Sequence, residues 1–175
     1  MAAGCGTAPL APPDPSAVRT PGRSAELRDP RTRLRFAVPI NWTKRFRHNP
    51  GIVRISSGDA EVSGWAYPRS EPLPRTRRQL QAALRALVQL AKQRNPSFDL
   101  SASRITRVDG APAIELRGTQ RIFGRVISTR SVHIYRGPGE YVFEALAPAR
   151  DFGVADRQVL APLLRSLDFP RLATV

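Results

Sequence analysis

The stretch Pro74-Arg75-Thr76-Arg77-Arg78-Gln79-Leu80-Gln81-Ala82-Ala83-Leu84-Arg85-Ala86-Leu87-Val88-Gln89-Leu90-Ala91-Lys92-Gln93-Arg94-Asn95 decides the fold class, because its period differs from everything around it. Leu80, Leu84, Leu87 and Ala91 recur at spacings of three and four, with Val88 and Leu90 beside them. Arg77, Gln81, Arg85, Gln89 and Lys92 fall on the other side. A 3.6-residue repeat aligns such positions in one stripe, so the segment reads as an amphipathic helix with one face for a core. Thr76 is its N-cap, and Gln79, three residues on, completes a capping box. Asn95-Pro96 stops it, since the residue before a proline is pushed out of helical geometry.

On either side the period drops to two. Leu34, Phe36 and Val38 alternate with Arg35 and Ala37, and Pro39 ends that strand. A loop opens at Asn41-Trp42 and runs through His48 to Pro50-Gly51. Ile52–Ile55 and Glu61–Tyr67 read as the next strands, joined by the turn Ser56-Ser57-Gly58-Asp59. After the helix come Phe98–Val108, Ala113–Thr119, Arg125–Arg136 and Tyr141–Ala147, with tight turns at Asp109-Gly110 and Gly137-Pro138-Gly139. A second helix, Ala155–Leu167, gathers Val159, Leu160, Leu163, Leu164 and Leu167 on one side. The order βββ–α–ββββ–α predicts an α+β fold, with an antiparallel β-sheet of about six to seven strands flanked by helices. The domain is expected over residues 33–170, with 171–175 a short C-terminal tail.

Residues 1–32 read as a Pro-rich linker without fixed structure. Six prolines fall in the first thirty positions, and Leu10, Val18 and Leu27 are the only large aliphatic or aromatic residues there. Such a segment buries too little apolar surface to offset its conformational entropy. Its head contains the only cysteine of the chain, Cys5, in Ala3-Gly4-Cys5. Small residues before a cysteine resemble the end of a bacterial lipobox, where the cysteine is lipidated after signal cleavage. The leucine usual three residues before the cysteine is Ala2 here, and no charged and apolar signal region stands upstream of it in this sequence. One cysteine also excludes an internal disulfide and a cysteine-based zinc site.

The charge is unusual: 28 basic residues against 14 acids give a net +14. Lys44 and Lys92 are the only lysines, so the other 26 basic residues are arginine. A GC-rich genome accounts for arginine replacing lysine, but not for the twofold excess over acids. Two clusters are candidate sites for an anionic partner. Lys44, Arg45 and Arg47 crowd the loop after the first strand; Arg75, Arg77 and Arg78 crowd the start of the helix, where cations oppose the macrodipole. A third series, Arg117, Arg121, Arg125 and Arg130, spans a hairpin. Anionic lipid or another polyanion fits these clusters; nucleic acid fits poorly, because aromatic residues do not interleave with the arginines.

The chemistry of catalysis is sparse. His48 and His133 are the only histidines, and no metal-ligand spacing, nucleophile elbow or phosphate loop occurs. No catalytic residue, metal ligand or cofactor is expected. Glu115 and Glu144 are expected in cross-strand pairs with arginines. A pocket gathering His133 with two carboxylates would instead favour an enzyme.

Phe36-x-Val38-Pro39-x-Asn41-Trp42, Val108-Asp109-Gly110-x-Pro112-Ala113, Tyr141-x-Phe143 and Leu164-x-Ser166-Leu167-x-Phe169 appear in the order seen in the Mog1/PsbP-like superfamily. The chain resembles that superfamily over nearly the whole domain. The resemblance implies an α/β/α sandwich and a non-enzymatic role in binding or assembly, since its members include a nuclear transport factor, photosystem subunits and bacterial envelope lipoproteins. It carries over no site residues. Together with Cys5 and the linker, it points to an envelope lipoprotein of unknown protein partner, lipid-anchored at the outer face of the cytoplasmic membrane. The alternative expectation is a cytoplasmic basic module that binds nucleic acid or an acidic protein through its arginine clusters.

Overall fold

The computed structural model describes residues 14–170. Its strands are β1 (Ser24–Arg28), β2 (Arg35–Pro39), β3 (Thr43–Phe46), β4 (Gly51–Ser57), β5 (Ala60–Pro68), β6 (Asp99–Val108), β7 (Ala111–Ile122), β8 (Arg125–Arg136) and β9 (Gly139–Ala147). Helix α1 spans Arg77–Arg94, and a second helical segment runs through α2 (Ala149–Gly153), a π-helical stretch (Val154–Leu160) and α3 (Ala161–Arg165). Strands β3 to β9 form one antiparallel sheet of seven strands in the order β3-β4-β5-β9-β8-β7-β6. The fold is α+β, as the periods imply.

Alternation along each strand divides the sheet into two faces. One presents Val62, Ala66, Ala113, Val132, Ile134, Phe143 and Ala145 to the main core, together with Val159, Leu160 and Leu163 of the helical segment. The other presents Ile114, Leu116 and Tyr135 to Leu80 of α1. Gly64 is needed on the first face, because a Cβ there would meet the Phe143 ring at 2.7 Å. Helix α1 keeps its capping box: Thr76 Oγ1 accepts from the Gln79 N–H at 3.2 Å, and Gln79 Oε1 accepts from the Thr76 N–H at 3.0 Å.

Four features differ from the sequence reading. Strand β2 does not join the large sheet; it pairs with β1 in a two-stranded ribbon laid over the main core, where Leu34, Phe36 and Val38 are fully buried. Within the linker expected over residues 1–32, Ser24–Arg28 forms strand β1, held by the ladder to β2. Residues 1–13, Cys5 among them, and the expected tail 171–175 lie outside the described residues. The loop expected after Asn41 contains the edge strand β3, paired with β4. Finally, the second helix starts at Ala149 rather than Ala155 and widens into π geometry over Val154–Leu160. That widening ends just before Pro162, whose ring would clash with the carbonyl four residues back in an unbroken α-helix.

Candidate ligand pocket

Helix α1 covers only part of its face of the sheet. Leu80 near its start is buried against Ile114, Leu116 and Tyr135, but Leu84 and Leu87 are half-buried and Leu90 is 47% exposed. Its C-terminal half overhangs strands β5, β8 and β9, and a cavity of about 400 Å³ opens beneath it. Leu87, Leu90 and Ala91 contribute the apolar roof. Trp65 and Tyr67 of β5 contribute aromatic surface, and the floor is polar: Thr129, Ser131 and His133 of β8, Glu140 and Glu144 of β9. These residues meet because alternate positions of three adjacent strands face the same way. Ser63, Glu144 and Ser131 are lateral neighbours in the ladder, as are Trp65, Val142 and His133, and then Tyr67, Glu140 and Tyr135.

The two carboxyl groups differ. Glu140, with its side chain 3% exposed, lies 2.6 Å from His133 Nδ1 and accepts from Arg69 Nε at 3.0 Å. Burial alone would raise its pKa, but the hydrogen bonds from His133 and Arg69 outweigh burial and hold it below the usual carboxylate range. Glu144 accepts one hydrogen bond, from Thr129 Oγ1 at 2.9 Å. Burial pushes its pKa up, and nearby Glu61 adds to the rise, against the weaker lowering by Thr129, His133 and Arg94. Tyr135 and Tyr67 are also raised, chiefly by burial. The pocket thus pairs a fixed anion with a carboxyl that gives up its proton reluctantly.

The opposite face carries a separate ion cluster. Glu115 accepts from Arg104, Arg117 and Arg130 at 2.8–2.9 Å, and Asp156 accepts from Arg117 and Arg130 at 2.7–2.8 Å. Burial would raise the Glu115 pKa, but its three arginine hydrogen bonds outweigh that and lower it. Arg117 and Arg130 are internal ties here rather than free cations. Glu115 pairs with arginines as expected from the sequence, whereas Glu144 lies on the other face and bonds a threonine.

The remaining cations are spread out. Lys44 Nζ donates to the carbonyls of Pro39 and Ile40 at 3.2 and 2.9 Å, closing the turn before β3. Arg45 and Arg47 are exposed around the end of that edge strand. Arg75, Arg77 and Arg78 are exposed at the start of α1, which packs on β6 and β7 at the other edge of the sheet. The structure therefore does not bring the two clusters together. Arg125 is engaged with Asp59 at 2.5 Å. Sequence reasoning singled out His133 and Glu144 but missed Trp65, Tyr67, Arg69 and Glu140 as a set. The period-two alternation of Trp65 and Tyr67 was the available signal, while Glu140 was masked by its place beside the Gly137–Gly139 turn. Among the described residues no group of three or more His, Cys, Asp or Glu stands close enough to hold a metal, and no helix is long and apolar enough to cross a membrane.

No family model matches the chain, and no curated protein does. Solved structures do. The solution structure of cyanobacterial PsbP (CyanoP) from Synechocystis sp. PCC 6803 is similar over 93% of this chain and 100% of its own, with a TM-score of 0.64 at 11% identity. The fold is PsbP-like. LpqN of Mycobacterium tuberculosis, described as involved in cell envelope biogenesis, has this fold too: it matches 85% of this chain and 91% of its own, at a TM-score of 0.61 and 13% identity. A further PsbP-like match is PA94 of Pseudomonas aeruginosa, a protein of unknown function and putative regulator, with a TM-score of 0.56 and 16% identity over 87% of this chain and 100% of its own. At these identities the likeness is one of fold.

Proposed function

We propose that this chain is a non-enzymatic binding domain of the bacterial cell envelope, tethered to the outer face of the cytoplasmic membrane by a lipid on Cys5, and that it takes a small amphipathic molecule beneath α1. The pocket carries this reading. At about 400 Å³ it lies in the range of small-molecule sites, with an apolar roof, aromatic surface and a polar floor. The extracytoplasmic placement is supported by Ala3-Gly4-Cys5 and by a PsbP-like fold shared with LpqN. Fluorescence titration with anilinonaphthalene sulfonate as the probe tests the pocket: Leu87→Arg and Trp65→Ala should each weaken binding severalfold, and unchanged binding by both overturns it. Labelling with an alkynyl fatty acid in a bacterial host, beginning from the natural upstream sequence, tests the tether. Cys5→Ser should abolish the label; an unlabelled parent protein rejects the anchor.

The reading as a cytoplasmic polyanion-binding module is weaker, because the arginine clusters lie at opposite edges of the sheet and Arg117, Arg125 and Arg130 are paired with carboxylates. A second reading has one specific observation in its favour: His133 shares the pocket with Glu140 and Glu144. A carboxylate that orients a histidine, beside a carboxyl of raised pKa, is an arrangement acid–base catalysis can use. Product formation from nitrophenyl ester, phosphate and glycoside substrates that disappears in His133→Gln would favour catalysis over binding.

A further inference from the structure

Hairpin β7–β8 outruns its neighbours. β9 pairs with β8 only as far as Ser128 and Ala147, and β6 pairs with β7 only as far as Asp99 and Thr119. Residues 120–127 therefore form a two-stranded arm, closed by Phe123-Gly124 between the paired residues Ile122 and Arg125. At about 3.3 Å per residue the arm projects by roughly 10 Å. The arm is braced along its length: Asn95 Nδ2 donates to Gln120 Oε1 at 3.1 Å, the Arg121 N–H donates to Ser97 Oγ at 2.7 Å, and Arg125, next to the tip, holds Asp59. Its tip is bare. Phe123 is 100% exposed and Val126 beside it 51%.

Neither packing nor turn chemistry accounts for Phe123. Its side chain is fully in solvent, and its φ of +48° is a left-handed conformation that favours asparagine or glycine over an aromatic residue. The course of the N-terminal segment supplies an orientation. The Asp59 N–H donates to the Ser16 carbonyl at 3.1 Å, so this segment lies on the β4–β5 turn, beside Arg125 of the arm. Residues 1–13 continue from that end, and Cys5 stands nine positions before Asp14, a reach of at most about 30 Å. A tether of that length keeps the arm near the surface that holds it.

We propose that the β7–β8 tip is a membrane-contact surface, whose occupant is a bilayer containing anionic lipid and whose wedge is Phe123. An aromatic side chain suits the boundary between headgroups and acyl chains. A lone aromatic on a projecting arm offers a folded protein no surrounding contacts to exclude water. Beside the tip Arg125 pairs with Asp59 and Arg150 reaches Asp59 and Asp151, so with the exposed Arg121 the local cationic surplus is small. Attraction to the surface comes mainly from the net +14 of the chain, with Lys92 and Arg94 exposed in the last turn of α1.

The test uses the full chain as Cys5→Ser, so that no lipid contributes; the proposal leans on the tether for orientation only, and the tether's failure would leave this readout unchanged. Co-sedimentation is measured with vesicles of equal parts phosphatidylcholine and phosphatidylglycerol. Phe123→Asn should lower partitioning by about tenfold, the effect of withdrawing one phenylalanine from an apolar boundary. Its thermal stability should not fall, because asparagine accepts the turn conformation. Phe46→Ala, on edge strand β3, should partition like the parent, and Phe123→Trp should be quenched by brominated lipid. Parent-level binding by Phe123→Asn, an equal loss in Phe46→Ala, or no vesicle binding at low salt each overturns the proposal, the last leaving a protein as the tip's partner.

Discussion

His133 and Glu140 meet across the β8–β9 hairpin at 2.6 Å, diagonal to one another on the face beneath α1, and Arg69 grips the same carboxylate from β5's far end. One face thus holds a carboxylate with two cation-capable partners, while Glu144, one ladder step beyond Val142, has only a hydroxyl. The contrast makes their pH behaviour opposite.

Glu140→Gln should destabilise the fold by about 2 kcal/mol at neutral pH, because it leaves His133 and Arg69 facing an uncharged group. The Glu140 pKa is lower folded than unfolded. Its contribution is therefore present above the ordinary carboxylate range and lost as pH falls through the lower folded value. Urea denaturation of parent and variant should show the gap closing on acidification.

Glu144→Gln should do the reverse. Its folded pKa is raised by burial, so the favourable contribution is present below the ordinary carboxylate range and is lost as pH rises through the raised value. The variant should be more stable than the parent at neutral and alkaline pH, and equal to it in acid. A variant that is less stable than the parent at alkaline pH would mean that Glu144 is stabilised as an anion.

What the sequence conveyed follows what side-chain pattern can encode. Helix α1 was legible because Leu80, Leu84 and Leu87 share a stripe and Thr76 and Gln79 cap it. β7 to β9 were legible because they alternate between two covered faces. β1 was not, since Ser24-Ala25-Glu26-Leu27-Arg28 holds one large apolar residue and is ordered by backbone pairing to β2. β3 is mostly exposed and shares that blindness. Strand β2 was seen, but alternation says only that one face is buried, not which sheet the strand joins. The pocket was partly hidden for a related reason: its floor joins residues from β5, β8 and β9, and which residues become neighbours depends on strand order and register.

The ion cluster opposite the pocket should be a strong structural tie. Asp156→Ala removes the acceptor that Arg117 and Arg130 share, in a setting where Arg130 and Glu115 are both buried. The expected cost is about 3 kcal/mol by urea denaturation. A double-mutant cycle with Arg130→Ala should give a coupling of about 1 kcal/mol or more, and additivity would show that the pair is incidental.

The Trp42 indole and its neighbour Asn41 should help tie down the segment before β1. Trp42 is 2% exposed, and its Nε1 donates to the Arg19 carbonyl at 3.0 Å. Asn41 next to it accepts from the Gly22 N–H at 2.8 Å and donates to the Thr20 carbonyl at 2.9 Å. These bonds, together with the packing of Val18 against the main core, hold a stretch whose composition alone reads as a linker. Trp42→Phe keeps most of the apolar body and removes the donor, so it should cost about 1–2 kcal/mol from the lost bond and the void beside it. Asn41→Ala removes two bonds from an exposed site and should cost less globally. In hydrogen exchange, both variants should speed exchange at Gly22, whose N–H bonds Asn41, while β7 and β8 amides stay protected. Uniform acceleration across the sheet in Asn41→Ala would mean instead that the segment and the sheet unfold as one unit.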